Sequence, residues 1–128
     1  MPISIIRLGS PRQRGEGLRL GTVRRPPRGV PKSRYAKQDW FDVWLPNLSP
    51  SAELMRKTPI GDNGGWWRPF ERRFRAELRR PDASHLLDAL AALSHVADFS
   101  IGCYCEDERR CHRSVLRSEL ETRGARIR

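Results

Sequence analysis

An apolar aromatic or aliphatic residue stands at every fourth position through Trp66, Phe70, Phe74 and Leu78, in a segment otherwise dominated by Arg72, Arg73, Arg75 and Arg79. That period fits one face of an α-helix and no strand, so residues 66–80 are expected to form an amphipathic helix, with Trp67 widening its buried stripe. Pro81 is expected to end it. Asp82 or Ser84 can then cap a second helix, whose Leu86, Leu87, Leu90 and Leu93 make an apolar face. Cys111–Arg123 reads as a last helix with Val115, Leu116 and Leu120 apolar, and Gly124 suits the position just past its end. A short helix, Glu53–Lys57, follows the capping run Ser49-Pro50-Ser51.

These helical stripes need partners, and the remaining apolar runs read as sheet. Ile3–Leu8 is β-rich, Leu18–Val23 alternates as a half-buried strand does, and Phe99–Tyr104 reads as a buried strand. Asp39–Leu45 is expected to be a strand with Trp40, Asp42 and Trp44 on one face. Strands separated by helices argue a layered α/β fold, here one compact domain over residues 1–128 with a small, mostly parallel sheet flanked by helices. His85 and His95 belong to no common constellation and read as structural. The spacing Gly9, Gly15, Gly17 lacks the context of a nucleotide fingerprint.

Charge narrows the function classes. The chain of 128 residues has a formal net charge of +10, with Lys and Arg together numbering 25 against 15 acids. Residues 1–40 hold 10 of the basic residues and 2 acids, and residues 72–80 add a second cluster. Arginine predominates, and its planar guanidinium makes bidentate contacts to phosphate or carboxylate. The excess fits either a solvated basic surface or an anion-binding surface, with a small phosphorylated ligand or a nucleic acid as the candidate partner. Arg24, Arg25 and Arg28 sit in Arg24–Lys32, where three prolines and a glycine forbid a helix and stiffen the loop after a strand. No apolar run is long enough to span a membrane, and the opening residues lack the pattern of a secretory signal. All three cysteines fall between 103 and 111, which does not resemble a disulfide scaffold and suggests a reducing, cytoplasmic setting.

The segment from Gly102 to Arg113 carries most of the chemistry. It ends a strand, crosses the charged loop Glu106-Asp107-Glu108-Arg109-Arg110 and opens a helix. Cys111 is placed at the helix N-terminus beside His112 and Arg113, all three of which lower a thiol pKa. Cys103 and Cys105 share a face if the strand continues that far. Three readings stay open. The thiols Cys103, Cys105 and Cys111 with His112 are catalytic or redox-active, with Arg24, Arg28 and Arg113 as anion contacts. Alternatively they bind metal as Cys-x-Cys-x5-Cys-His, although adjacent Cys111 and His112 are poorly placed to share one tetrahedral ion. Or the cysteines are inert packing residues. No cofactor and no metal ligand set is assigned, the enzyme question stays open, and a non-catalytic nucleic-acid-binding module remains the alternative.

The ordered motifs Ile6-Arg7-Leu8, Pro27-Arg28-Gly29, Trp44 to Ser51 and Phe70 to Leu78, with Cys103 and Cys111-His112-Arg113, resemble the YeaO-like group of a bacterial family of domains of unknown function. The resemblance covers nearly the whole chain. It implies a compact, Rossmann-like three-layer α/β fold and no established activity. The chain departs from the group at Val23 and Pro26, where relatives carry Asp and Trp, and at Cys105, where many carry Glu, with Glu106 one position later.

Overall fold

The structure is a computed structural model that describes residues 2–61, 63–105 and 110–128. Four strands, β1 (Ile3–Arg7), β2 (Leu18–Gly21), β3 (Val43–Trp44) and β4 (Phe99–Cys103), form one sheet in the order β1-β4-β2-β3. Every pairing is parallel. The helices are α1 (Ala52–Lys57), α2 (Trp67–Glu77), α3 (Pro81–Leu93) and α4 (His112–Thr122). No helix among the described residues is long and apolar enough to cross a membrane.

β4 explains the sheet. All five of its residues are buried, as a strand flanked on both edges and covered on both faces must be. Phe99 and Ile101 join Ile3 and Leu20 against Phe74, Leu87, Leu116 and Leu120 of the helices, so one sheet face meets one continuous apolar core. Phe70, Phe74 and Leu78 are buried in this core, as their spacing predicts. A second cluster, with Leu8, Val23, Phe41, Cys103 and Cys111, gathers at the carboxyl ends of the strands.

The other sheet face is covered by irregular chain, which forms the third layer. Small residues make this possible. A Cβ on Gly21 would lie 2.4 Å from the Phe41 ring, so the bare backbone is what lets that ring lie flat on β2. Arg19 of β2 is fully buried on this side. Its guanidinium pairs with the buried Glu16 carboxylate and donates to the Asp39 carbonyl at 2.5 Å. Ser100 Oγ ties β4 to the same layer by donating to the Glu16 carbonyl at 2.8 Å. Burial alone would raise the Glu16 pKa, but the Arg19 contact and the Gln13 N–H hold it below the ordinary carboxylate value.

Some boundaries differ from the sequence reading. The strand expected over Asp39–Leu45 shrinks to Val43–Trp44. Asp39 turns the chain with φ of 61°, and the Asp42 carboxylate, in place of a backbone carbonyl, accepts the Arg19 N–H at 2.8 Å. Pro81 starts α3 instead of merely ending α2. It occupies the first helical turn, where its missing N–H costs nothing, and neither Asp82 nor Ser84 caps the helix. Leu93, counted with the apolar face, is 47% exposed. Ser51 does cap α1, accepting the Leu54 N–H at 3.0 Å. The β1 edge is paired by the C-terminal tail, through Ile3 N–H to the Arg126 carbonyl and Arg128 N–H to the Ile3 carbonyl, both 2.8 Å.

The Arg19–Glu16 pair is too buried to be broken cheaply. Arg19→Met should cost about 3–5 kcal/mol in urea unfolding, because it strands the Glu16 charge in a dry layer. Adding Glu16→Gln should recover a large part of that loss. A single-variant cost under about 1 kcal/mol would show that the pair carries no such burden.

Candidate thiol site

Parallel strands deliver their carboxyl ends to one edge of the sheet, and the cysteines lie there. Cys103 is the last residue of β4, and Cys111 is the N-cap of α4. Both are buried, at 1% and 2% exposure, and Cys105 is exposed. The Cys103 and Cys111 sulfurs are 2.7 Å apart, and the Cys105 N–H donates to Cys103 Sγ at 3.4 Å. β4 stops at Cys103, so Cys105 lies past the strand, yet both cysteines line the same cleft. Most of the charged loop that follows, residues 106–109, lies outside the described residues, and the Glu106 position with it.

His112 is fixed from two sides. Its Nε2 lies 2.5 Å from the Thr22 carbonyl, an acceptor only, so this nitrogen carries the proton. Nδ1 is then an acceptor, and it faces Cys111 Sγ at 3.8 Å. Burial pushes the imidazole pKa down to about 4, so the ring is neutral near pH 7. Thr22 is itself locked to β4, with its N–H and its hydroxyl both donating to the Gly102 carbonyl at 3.0 and 2.9 Å. Phe74 meets the imidazole edge-on at 5.8 Å between centroids.

The thiols do not titrate as the helix-terminus argument expects. Hydrogen bonds from Cys103 and then Cys111 lower the Cys105 pKa strongly, and the Arg113 charge adds to this. The Cys103 thiol is pushed up because it donates to Cys105 and Cys111 and is buried. At Cys111 the contact with Cys103 lowers the pKa, but the contact with Cys105 and burial outweigh it, and the net direction is up. The directions of shift therefore favour the thiolate at Cys105, the exposed member, over Cys103 and Cys111. The expected activation of Cys111 is reversed because its neighbours draw on its proton and water cannot reach it.

The arginines separate. Arg113 is buried at 3% exposure and donates to the Ile6 carbonyl at 2.7 Å and the Cys105 carbonyl at 2.6 Å. It sits behind the thiols and holds Cys105 in place. Arg24 is exposed and donates to the Pro50 carbonyl at 3.2 Å. It shares a cleft of about 440 Å³ with Cys103, Cys105, His112 and Met55. Arg28 lines the adjoining cleft, of about 810 Å³, with Arg7, Arg25, Trp40 and Tyr104. Arg25 and Tyr104 line both. Thr22, Trp40 and Tyr104 carry no chemical pattern in the sequence that marks them for this edge, whereas Arg25 is signalled by its place in the stiff loop.

The cluster also has the makings of a cation site. One donor atom each from Cys103, Cys111 and His112 lies within 4.8 Å of the others, so adjacency in sequence does not keep Cys111 and His112 apart.

No curated protein and no solved structure matches the chain. A family profile, DUF488-N3a, described as the active DUF488-N3 subclade, matches residues 3–124. That span takes in every strand, every helix and all of the thiol cluster, and the chain therefore belongs to this subclade of a bacterial family of domains of unknown function.

Proposed function

We propose that the protein is a thiol-dependent enzyme acting on an anionic, phosphate-bearing substrate. The observation that carries this reading is the division of labour among the three cysteines. Cys103 and Cys111 are buried against each other, and Cys105 is the exposed member, on a cleft that it shares with Arg24 and His112. A thiolate is the reactive form of cysteine, and a site that keeps one at neutral pH stands ready for nucleophilic attack. Cys105 sulfur supplies the electron pair of the new bond, and the leaving group departs with the old pair. Water then releases the transferred group and returns the thiolate. The proton that water gives up in that step goes to the departed leaving group, and His112 Nδ1, neutral, faces the Cys111 sulfur and orients that thiol. Arg24 and Arg28 would attract the anion, and Arg113 supports the thiolate charge from behind.

A second reading has one observation in its favour. The convergence of Cys103, Cys111 and His112 fits a soft divalent cation, which would turn the cluster into a metal or redox sensor. The two readings part on one measurement. After chelator treatment, iodoacetamide at pH 6.5 should label Cys105 at least tenfold faster than free cysteine, with Cys103 and Cys111 unlabelled in the mass spectrum. Cys105→Ser should abolish the fast phase. Labelling no faster than free cysteine sinks the thiol reading. One tightly held metal ion per chain in protein purified without chelator favours the sensor.

The neutral state of His112 has its own consequence for stability. The imidazole's ordinary value is 6.5, and the folded value is about 4. Between those values the unfolded chain binds a proton that the folded chain refuses, so stability is full above pH 6.5 and falls as pH drops toward 4. The loss should reach roughly 3 kcal/mol, read from urea midpoints at pH 7 and pH 4. His112→Gln should remove that part of the slope. An unchanged slope in the variant would mean that the ring is protonated in the fold.

A further inference from the structure

We infer that the 810 Å³ cleft beside the thiols binds a nucleoside phosphate, free or as a unit of a single-stranded nucleic acid. The inference rests on the thiol reading only in calling this ligand the substrate.

The cleft is walled by two kinds of side chain. Arg7, Arg25 and Arg28 supply three cations, and no described residue of its lining is acidic. Trp40 and Tyr104 supply two aromatic rings, set edge to face with centroids 5.9 Å apart. Either set alone has a bland explanation, since basic loops and half-buried aromatics are common. Together they match a ligand with a planar π-face at one end and a phosphate at the other. The volume is within the ordinary range for small-molecule sites and is ample for one nucleotide.

The walls are also held in place before any ligand arrives. Trp40 lies against Gly9, where a Cβ would come within 2.8 Å of the indole and φ is +91°, so the residue there must be glycine for the ring to sit as it does. The Tyr104 hydroxyl donates to the Arg25 carbonyl at 3.0 Å, and Arg7 Nε donates to the Tyr104 carbonyl at 3.2 Å. Pro26 and Pro27 fix the backbone between Arg25 and Arg28. A rigid site pays less ordering entropy on binding. The cleft shares Arg25 and Tyr104 with the thiol cleft, so the two adjoin along that wall.

Equilibrium binding tests this directly, using the full chain and four probes: inorganic phosphate, AMP, adenosine and a short single-stranded oligo-dT. AMP or the oligonucleotide should bind at least tenfold more tightly than phosphate or adenosine alone. Binding by AMP, by the oligonucleotide or by both supports the assignment, with AMP alone marking a free nucleotide and the oligonucleotide alone a polymer unit. Trp40→Ala and Arg28→Ala should each weaken the nucleotide-bearing probe roughly tenfold. Arg28 is exposed, so its variant is expected to fold, and circular dichroism with a urea midpoint checks Trp40→Ala. Cys105→Ser should bind as tightly as the parent, so loss of fast alkylation and loss of nucleotide binding are separate failures. Nucleotide probes that bind no better than phosphate, or that ignore both cleft variants, overturn the inference.

Discussion

β4 is paired on both edges, and the position of every group at the thiol end follows from that. Its ladder with β1 sets Arg7 against Cys103, and its ladder with β2 sets Gly21 against Gly102. A residue just past β2 therefore arrives beside the end of β4 by sheet register, with no help from side-chain packing. Thr22 is that residue. It spends its N–H and its hydroxyl on the Gly102 carbonyl, which leaves its own carbonyl to accept from His112. One backbone oxygen thus fixes the imidazole tautomer and the entry of α4. A buried histidine whose proton is held on one nitrogen must present a lone pair on the other. Here that lone pair faces sulfur.

Cys103 and Cys111, with sulfurs 2.7 Å apart, cannot both ionise, because the second charge would sit beside the first in a dry site. The direction of each shift follows solvent access, up at Cys103 and Cys111 and down at the exposed Cys105. Cys103 and Cys111 are covered by Leu8, Val23 and Phe41 and keep their protons. Cys105 meets water, and its neighbours hold its pKa down. Arg113 completes the arrangement from the protein side. Its guanidinium is tied to backbone carbonyls of β1 and of Cys105, so its charge is stationary. A fixed cation near a fixed thiolate stabilises it without the reorganisation that a mobile surface lysine would require.

How much of this was legible in the sequence depended on whether a signal was local. The four-residue period through Phe70, Phe74 and Leu78 is local, and α2 follows it. The buried run Phe99–Cys103 is local too, and β4 follows it. Asp39–Leu45 misleads because aromatic density mimics a strand. Phe41 is buried by lying on Gly21 from a loop, and hydrophobic pattern does not separate those two ways of hiding a ring. Arg113 misleads in the opposite sense. A helix-start arginine beside two thiols looks like an anion contact, but the Ile6 carbonyl that claims it is 107 residues away in sequence. The same distance problem hides the cleft. Arg7 and Tyr104 are 97 residues apart, and nothing in either neighbourhood announces the other.

The Arg25–Tyr104 contact gives the two clefts a common wall, and that wall is where binding and chemistry would be coupled. Tyr104 stands between Cys103 and Cys105, so the backbone that carries the ring also carries the sulfurs. Arg7 holds the Tyr104 carbonyl, and Arg113 holds the next one along, that of Cys105. Two successive carbonyls are thus gripped by two guanidiniums, and the segment can neither twist nor retract without breaking a charge-assisted hydrogen bond. A ligand that leans on the Tyr104 ring therefore leans on a support whose position relative to Cys105 is set. Proximity catalysis needs that property, since a displacement of about 1 Å at the reacting atoms costs on the order of a hundredfold in rate. The arginine excess of this chain is best understood in those terms. Part of it faces solvent, Arg7 holds the Tyr104 carbonyl from the surface, and Arg19 and Arg113 are buried in the fold, where they hold backbone carbonyls in place.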